Sequence, residues 1–141
     1  VNEGARMAGK SVDDLDLHAS VFAVLGETPS ERSASEQQIR EQVAFYASTP
    51  SYRALLNHHG FADLGKQLSQ TMRAGEIDKM AEMVPDELLA EVTISASYGD
   101  LGQLLRQRYD GLVQRIATYF PIPDDDPVER WAAVVKGFAN A

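Results

Sequence analysis

The chain has 141 residues, the usual size of a single domain, and carries 21 acidic against 13 basic side chains for a net charge of −8. A protein that binds nucleic-acid phosphates or an anionic membrane surface needs the opposite balance, so neither partner is expected. The absence of cysteine excludes disulfides, thiolate zinc sites and a cysteine nucleophile, and it suits a cytoplasmic location.

The N-terminal quarter predicts a short helix followed by a strand. Residues 1–9 carry Ala5, Met7 and Ala8, and Gly9 ends them as a helix stop would. Residues 15–25 alternate, with an apolar face from Leu15 to Leu25 and a mixed face that includes His18 and Phe22. This pattern predicts a strand covered by helices on its apolar side and facing a lumen or a second layer on the other.

The middle of the chain predicts a helical block. Thr28-Pro29-Ser30-Glu31 is a strong helix start, because threonine can cap, proline suits the first helical position and glutamate completes a capping box. The helix that follows ends before Pro50, and a second short helix runs to residue 59. Residues 62–90 are predicted as two or three helical pieces, interrupted at Gly75 and Pro85.

The remaining residues predict one more strand and two helices. Residues 92–98 alternate as a second strand, and Gly99-Asp100 leads into a long helix that extends through Leu112 and Ile116 to Tyr119. Residues 121–126 form a linker, and Asp126-Pro127-Val128-Glu129 repeats the capping-box pattern before a final amphipathic helix. Two strands, each followed by helix, are typical of an α/β protein with parallel strands.

Four segments carry a family resemblance: QVAFYASTPSYR at residues 42–53, HGFADL at 59–64, VPDELL at 84–89 and RYDGL at 108–112. In this order and spacing they resemble the C-terminal part of the luciferase-like monooxygenase family. The branch most similar is that of oxidoreductases using the deazaflavin coenzyme F-420. The resemblance covers residues 1–121, whereas residues 122–141 are expected to be a linker and a terminal amphipathic helix.

The resemblance implies a fold that the chain is too short to complete. Members of the family are (β/α)8 TIM barrels, a fold of about 250 residues. The chain is therefore expected to be a C-terminal fragment of such a barrel, mostly helical with two parallel strands that correspond to the seventh and eighth. Two strands leave sheet edges exposed, so we expect a homo-oligomer. The fragment alone is expected to be inactive, because it cannot enclose the ring of a flavin-type cofactor.

The resemblance also implies flavin-type chemistry, in which F-420 or FMN acts on a small organic substrate and the protein supplies position and electrostatics. No motif indicates a catalytic residue or a metal site. Pocket candidates are Tyr46 and Tyr52, which flank a helix break, His58 at a helix end, and Ser95 and Ser97 beside a helix start that could attract phosphate. For each, packing, capping or solvent exposure is the alternative role.

A second function is compatible with the same residues. The helical majority and the amphipathic last helix, with Trp131 and Phe138, could belong to a self-sufficient interaction module without catalysis. The gene upstream of Val1 distinguishes the two hypotheses. A reading frame for about 200 more residues of alternating strands and helices selects the oxidoreductase, and a start codon directly before Val1 selects the module.

Overall fold

The computed structural model describes residues 1–122 and 124–140. Pro123 and Ala141, both in the predicted tail, lie outside the described residues. The helices and strands follow in the order α1 (Asn2–Met7), β1 (His18–Leu25), α2 (Pro29–Ala47), α3 (Arg53–His58), α4 (Leu64–Arg73), α5 (Asp86–Val92), β2 (Thr93–Ala96), α6 (Tyr98–Tyr109), β3 (Arg115–Thr118) and α7 (Val128–Ala139).

The sheet is parallel, with β1 in the middle and the order β2-β1-β3. Strand β2 pairs with the C-terminal half of β1, from Phe22 opposite Thr93 to Leu25 opposite Ala96. Strand β3 pairs with the N-terminal half, from His18 opposite Arg115 to Val21 opposite Thr118. The predicted α/β class and the parallel pairing of the first two strands are confirmed.

Helices cover both faces of this sheet. On one face of β1, Val24 and Phe22 pack into a core with Ile39 and Val43 of α2 and residues of α3 to α5. On the other face, Val21 packs with residues of α6 and α7. Alternation along β1 therefore separates two cores, and the mixed face meets a second helical layer, one of the two arrangements that its pattern predicted.

The number of strands differs from the prediction of two. The expected long helix ends at Tyr109, and residues 115–118 form β3 instead, so Ile116 belongs to the sheet. The physical reason is Gly111, whose φ of 71° lies in the left-handed region where glycine is favoured and where helices commonly stop. The prediction of helix through residue 119 was wrong.

The strand order also differs from that of three consecutive barrel strands. In a (β/α)8 barrel each strand lies beside its predecessor and its successor, so three in sequence would give β1-β2-β3. Here β1 is the central strand, with β2 on one side and β3 on the other. Strands β1 and β3 are therefore neighbours in the sheet, although β2 lies between them in the sequence. Within the described residues, neither β2 nor β3 has a strand on its outer side.

The capping box that the sequence predicts forms at the start of α2 but not at the start of α7. Thr28 accepts a hydrogen bond from the Glu31 N–H, and the Glu31 carboxylate accepts one from the Thr28 N–H, so the predicted capping box is confirmed. Asp126 does not cap α7, because its carboxylate accepts hydrogen bonds from the side chains of Tyr98 and Trp131.

Among the described residues, no helix combines the length and hydropathy needed to cross a bilayer.

Candidate functional site

A cleft of about 490 Å³ lies beside the C-terminal half of β1, on the side where β3 has already ended. Its floor includes Ala23 and Leu25, one wall is the face of α2 that carries Glu31 and Ser35, and the opposite wall is the start of α7. In parallel α/β sheets, ligands bind beyond the carboxyl ends of the strands. The cleft occupies that position.

Aromatic side chains form much of the cleft. Tyr98, Tyr119, Phe120 and Trp131 all line it. The rings of Tyr98 and Trp131 meet edge to face, with centroids 5.4 Å apart. Such a set presents apolar faces and edges to a planar ligand.

The Asp126 carboxylate holds this aromatic wall together. Its Oδ2 atom accepts hydrogen bonds from Trp131 Nε1 at 2.6 Å and from the Tyr98 hydroxyl at 3.2 Å. The side chain is only 7% exposed, so the bonds replace solvation that the carboxylate has lost. Burial, and then the adjacent Asp126 charge, raises the pKa of Tyr98, which stays a neutral donor.

Arg130 links the two walls of the cleft. Its guanidinium lies 3.4 Å from Asp126 Oδ1 and 3.2 Å from Glu31 Oε1, and it stacks 5.2 Å from the centre of the Tyr98 ring. The hydrogen bond to Glu31 is the main cause that raises the pKa of Arg130. Because Glu31 and Arg130 stand 99 residues apart, this pair ties the C-terminal helix to the start of α2.

Glu31 stays ionised for a reason that does not depend on Arg130. Its Oε2 atom accepts the N–H groups of Glu27 at 2.7 Å and Thr28 at 3.2 Å. These two backbone bonds are the largest causes that lower the pKa of Glu31. The carboxylate is thus fixed by its own helix start and presents its other oxygen to the cleft.

A sequence model of the family described as luciferase-like monooxygenase matches residues 1–119. The chain belongs to this family. The match includes β1 and the α2 wall of the cleft, whereas Asp126, Arg130 and Trp131 lie beyond it.

Curated relatives match the chain over part of their own length. The chain is 30% identical over 117 residues to an uncharacterized protein of Mycobacterium bovis and to uncharacterized proteins from two strains of Mycobacterium tuberculosis. The aligned region is 83% of this chain and 34% of each relative. The chain therefore spans about a third of the length of the curated relatives that it matches.

The predicted site residues of this luciferase-like chain do not gather in the cleft. Tyr46 and Tyr52 stack with centroids 5.1 Å apart and line a separate apolar cavity of about 60 Å³. The Tyr46 hydroxyl lies 2.5 Å from that of Tyr119, and this hydrogen bond is the main cause that raises the pKa of Tyr46. Tyr119 lines the cleft and Tyr46 lines the small cavity, so the bond between their hydroxyls lies between the two spaces.

The other three candidates lie elsewhere in the luciferase-like chain. Ser97 caps α6 by accepting from the Asp100 N–H, and its hydroxyl donates to the Asp100 carboxylate at 2.7 Å. Ser95 is exposed on β2, and His58 is exposed at the end of α3 with its ring edge-on to His59. A role of these residues in binding stays a prediction.

The sequence reasoning missed the residues that connect the two cleft walls. Asp126 was assigned to a helix cap, and Trp131 to an amphipathic face. The pair Asp126 and Arg130, four residues apart, is a signal that could have been noticed, since both project toward the same side of a helix start.

Among the described residues, no cluster of three or more His, Asp or Glu side chains could hold a metal.

Proposed function

We propose that the chain forms one side of the active-site cleft of a flavin- or F-420-dependent oxidoreductase or monooxygenase that acts on a small organic substrate. The observation that carries the proposal is the aromatic cleft at the carboxyl ends of parallel strands in a chain of the luciferase-like monooxygenase family. Active sites of the (β/α) barrels lie at the same end of the strands.

The lining residues fit the ring system of such a cofactor. The cleft volume, about 490 Å³, falls in the ordinary range for small-molecule sites of about 300–1,000 Å³. The rings of Tyr98 and Trp131 offer apolar edges and faces, and Arg130 adds a planar cation over Tyr98. When bound, a flavin or deazaflavin supplies the hydride or oxygen chemistry. The side chains here orient its ring and exclude water from one face.

The cleft is open, and we propose that the 141 residues alone bind the ring weakly and turn over no substrate. Its walls come from α2 and from the start of α7. In the part of the chain that the structure describes, no strand pairs with the outer edge of β2 or of β3. Uncovered edges favour pairing with a further strand, from the same polypeptide or from a second copy. We propose a homo-oligomer on this ground.

The packing of the last helix supports the oxidoreductase over the interaction module. The module hypothesis needs Trp131 and Phe138 as an outward binding face. Instead, both pack against the core formed by Leu101, Leu105 and Val134. Both rings are therefore partly covered within the chain, and the remaining surface of Trp131 lines the cleft.

Flavin fluorescence anisotropy tests the proposal with FMN and F-420 as probes. We expect a saturable rise in anisotropy with weak affinity for at least one of them, and a smaller rise for Trp131→Ala. The exposed Val135→Ala on the same helix is the control, because Val135 does not line the cleft. Absence of saturable binding would contradict the flavin-type site, and tight stoichiometric binding would contradict the proposed incompleteness.

A further inference from the structure

The charged side chains that line the cleft carry more negative than positive charge. Glu31, Asp125 and Asp126 contribute carboxylates, and Arg130 contributes a guanidinium. Because the pKa of Glu31 is lowered by its backbone hydrogen bonds, its charge persists at neutral pH. Three carboxylates and one cation leave the described lining with an excess of two negative charges.

The guanidinium of Arg130 is not available to bind an incoming anion, because it already pairs with two carboxylates. Its guanidinium is committed to Glu31 and Asp126 at once, at 3.2 and 3.4 Å. A phosphate or carboxylate that approached it would meet both of these carboxylates. Like charges at such separations repel, and the repulsion is strongest where solvent is partly excluded.

The start of α6, where Tyr98 lines the cleft, is occupied by carboxylates as well. Helix N-termini attract phosphates through free N–H groups. At α6, however, Asp100 bonds the capping hydroxyl of Ser97, and the Tyr98 N–H is 3.3 Å from Glu27 Oε1. Two carboxylates therefore stand at the N-terminus of α6, where they oppose the binding of an anion.

We propose that this cleft accepts an uncharged or cationic planar ring and rejects phosphate, and that Glu31 together with residues 125–131 sets this preference. Three of the four charged lining groups, Asp125, Asp126 and Arg130, lie beyond the residues that match the luciferase-like family. One of the two excess negative charges therefore comes from residues beyond the family match, and the other comes from Glu31 within it. The inference rests on the proposed function and deepens it, since the phosphorylated end of a flavin-type cofactor must lie outside the cleft.

Riboflavin and FMN provide a matched pair of probes, because they share one ring system and differ by a phosphate. The chain has a single tryptophan, so the indole N–H of Trp131 gives one resolved NMR resonance inside the cleft. Titration of the labelled chain at low salt is expected to shift this resonance with both ligands. The dissociation constant for FMN should exceed that for riboflavin by about threefold to tenfold.

Charge variants assign the preference to named residues. Glu31→Gln combined with Asp125→Asn is expected to bring the two dissociation constants close together, because glutamine keeps the capping hydrogen bonds. Asp124→Asn is the control, since Asp124 is exposed and does not line the cleft, and it should leave the ratio unchanged.

Each outcome of this titration decides a different proposal. FMN binding as tightly as riboflavin, or a ratio unaffected by the double variant, overturns the charge preference and leaves the flavin-type site standing. Failure of both ligands to shift the Trp131 resonance overturns the flavin-type site itself, and the charge preference with it.

Discussion

Trp131 donates its indole N–H to Asp126 across five residues of chain, at 2.6 Å, and this bond fixes the aromatic wall of the cleft. The same carboxylate oxygen also accepts from Tyr98, which stands at the start of a different helix. One nearly buried carboxylate thus holds α7, α6 and the intervening segment in a fixed relation. The relation determines the shape of the cleft on the side that the family match does not cover.

Asp126→Ala should lower the free energy of unfolding by about 2 kcal/mol, because two donors lose a charged acceptor. Trp131 fluorescence should shift to longer wavelength as the indole becomes hydrated. Urea unfolding measures the first effect and emission spectra measure the second. Asp124→Ala removes the same charge two residues away at an exposed position and should be nearly neutral. Equal stability of the two variants would contradict the role of Asp126.

Helices α6 and α7 contact each other at Gly102 and Gly137, and the two positions leave different room for a methyl group. A Cβ built on Gly102 would lie 2.1 Å from the Val134 carbonyl oxygen, whereas one on Gly137 would meet Gly102 Cα at 3.5 Å, an ordinary contact. Gly102→Ala should therefore cost about 2 kcal/mol or more, and Gly137→Ala should be tolerated. Thermal unfolding of both variants checks this asymmetry, and similar melting temperatures would contradict the close approach at Gly102.

The lowered pKa of Glu31 predicts a specific loss of stability in acid. Because the folded-state pKa lies below the unfolded value, the contribution is present above about pH 4.3 and disappears as pH falls through the folded pKa. Glu31→Gln should remove this part of the pH dependence. Urea unfolding of both proteins between pH 6 and pH 3, values chosen to bracket the ordinary glutamate pKa of about 4.3, measures the difference. Parallel curves over that interval would refute the prediction.

The hydroxyls of Tyr46 and Tyr119 form a direct bond between α2 and the segment after β3. Tyr46→Phe and Tyr119→Phe should each lower the free energy of unfolding, and the double variant should lose less than the sum of the two losses. A double-mutant cycle from chemical unfolding gives this coupling. Tyr52→Phe keeps the stacked ring and alters a hydroxyl outside the pair, so it serves as the control. Additive losses would show that the pair does not interact.

The sequence correctly predicted the features that depend only on residues close together in the chain. The start of α2 follows from Thr28 and Glu31, since a capping box needs only residues three apart. The two faces of β1 follow from alternation, and each face enters its own core. The third strand was missed because the apolar spacing of Leu112, Ile116 and Tyr119 imitates a helix, although Gly111 separates them from α6.

The cleft depends on contacts that no local pattern encodes. Arg130 meets Glu31 across 99 residues, and Tyr98 meets Asp126 across 28. Sequence reasoning placed Tyr98 in a strand and Asp126 in a cap, so it could not bring them together. The strand order has the same cause, since register between β1 and β3 is set by packing of distant segments.

Intermolecular nuclear Overhauser effects between riboflavin and the isotopically labelled chain locate the ring most directly. Contacts from the ring methyl protons to the indole of Trp131 and the ring of Tyr98 are the expected result. Contacts confined to other surfaces, such as the groove lined by Ser95 and Arg108, would contradict the assignment, as would their absence at a saturating riboflavin concentration.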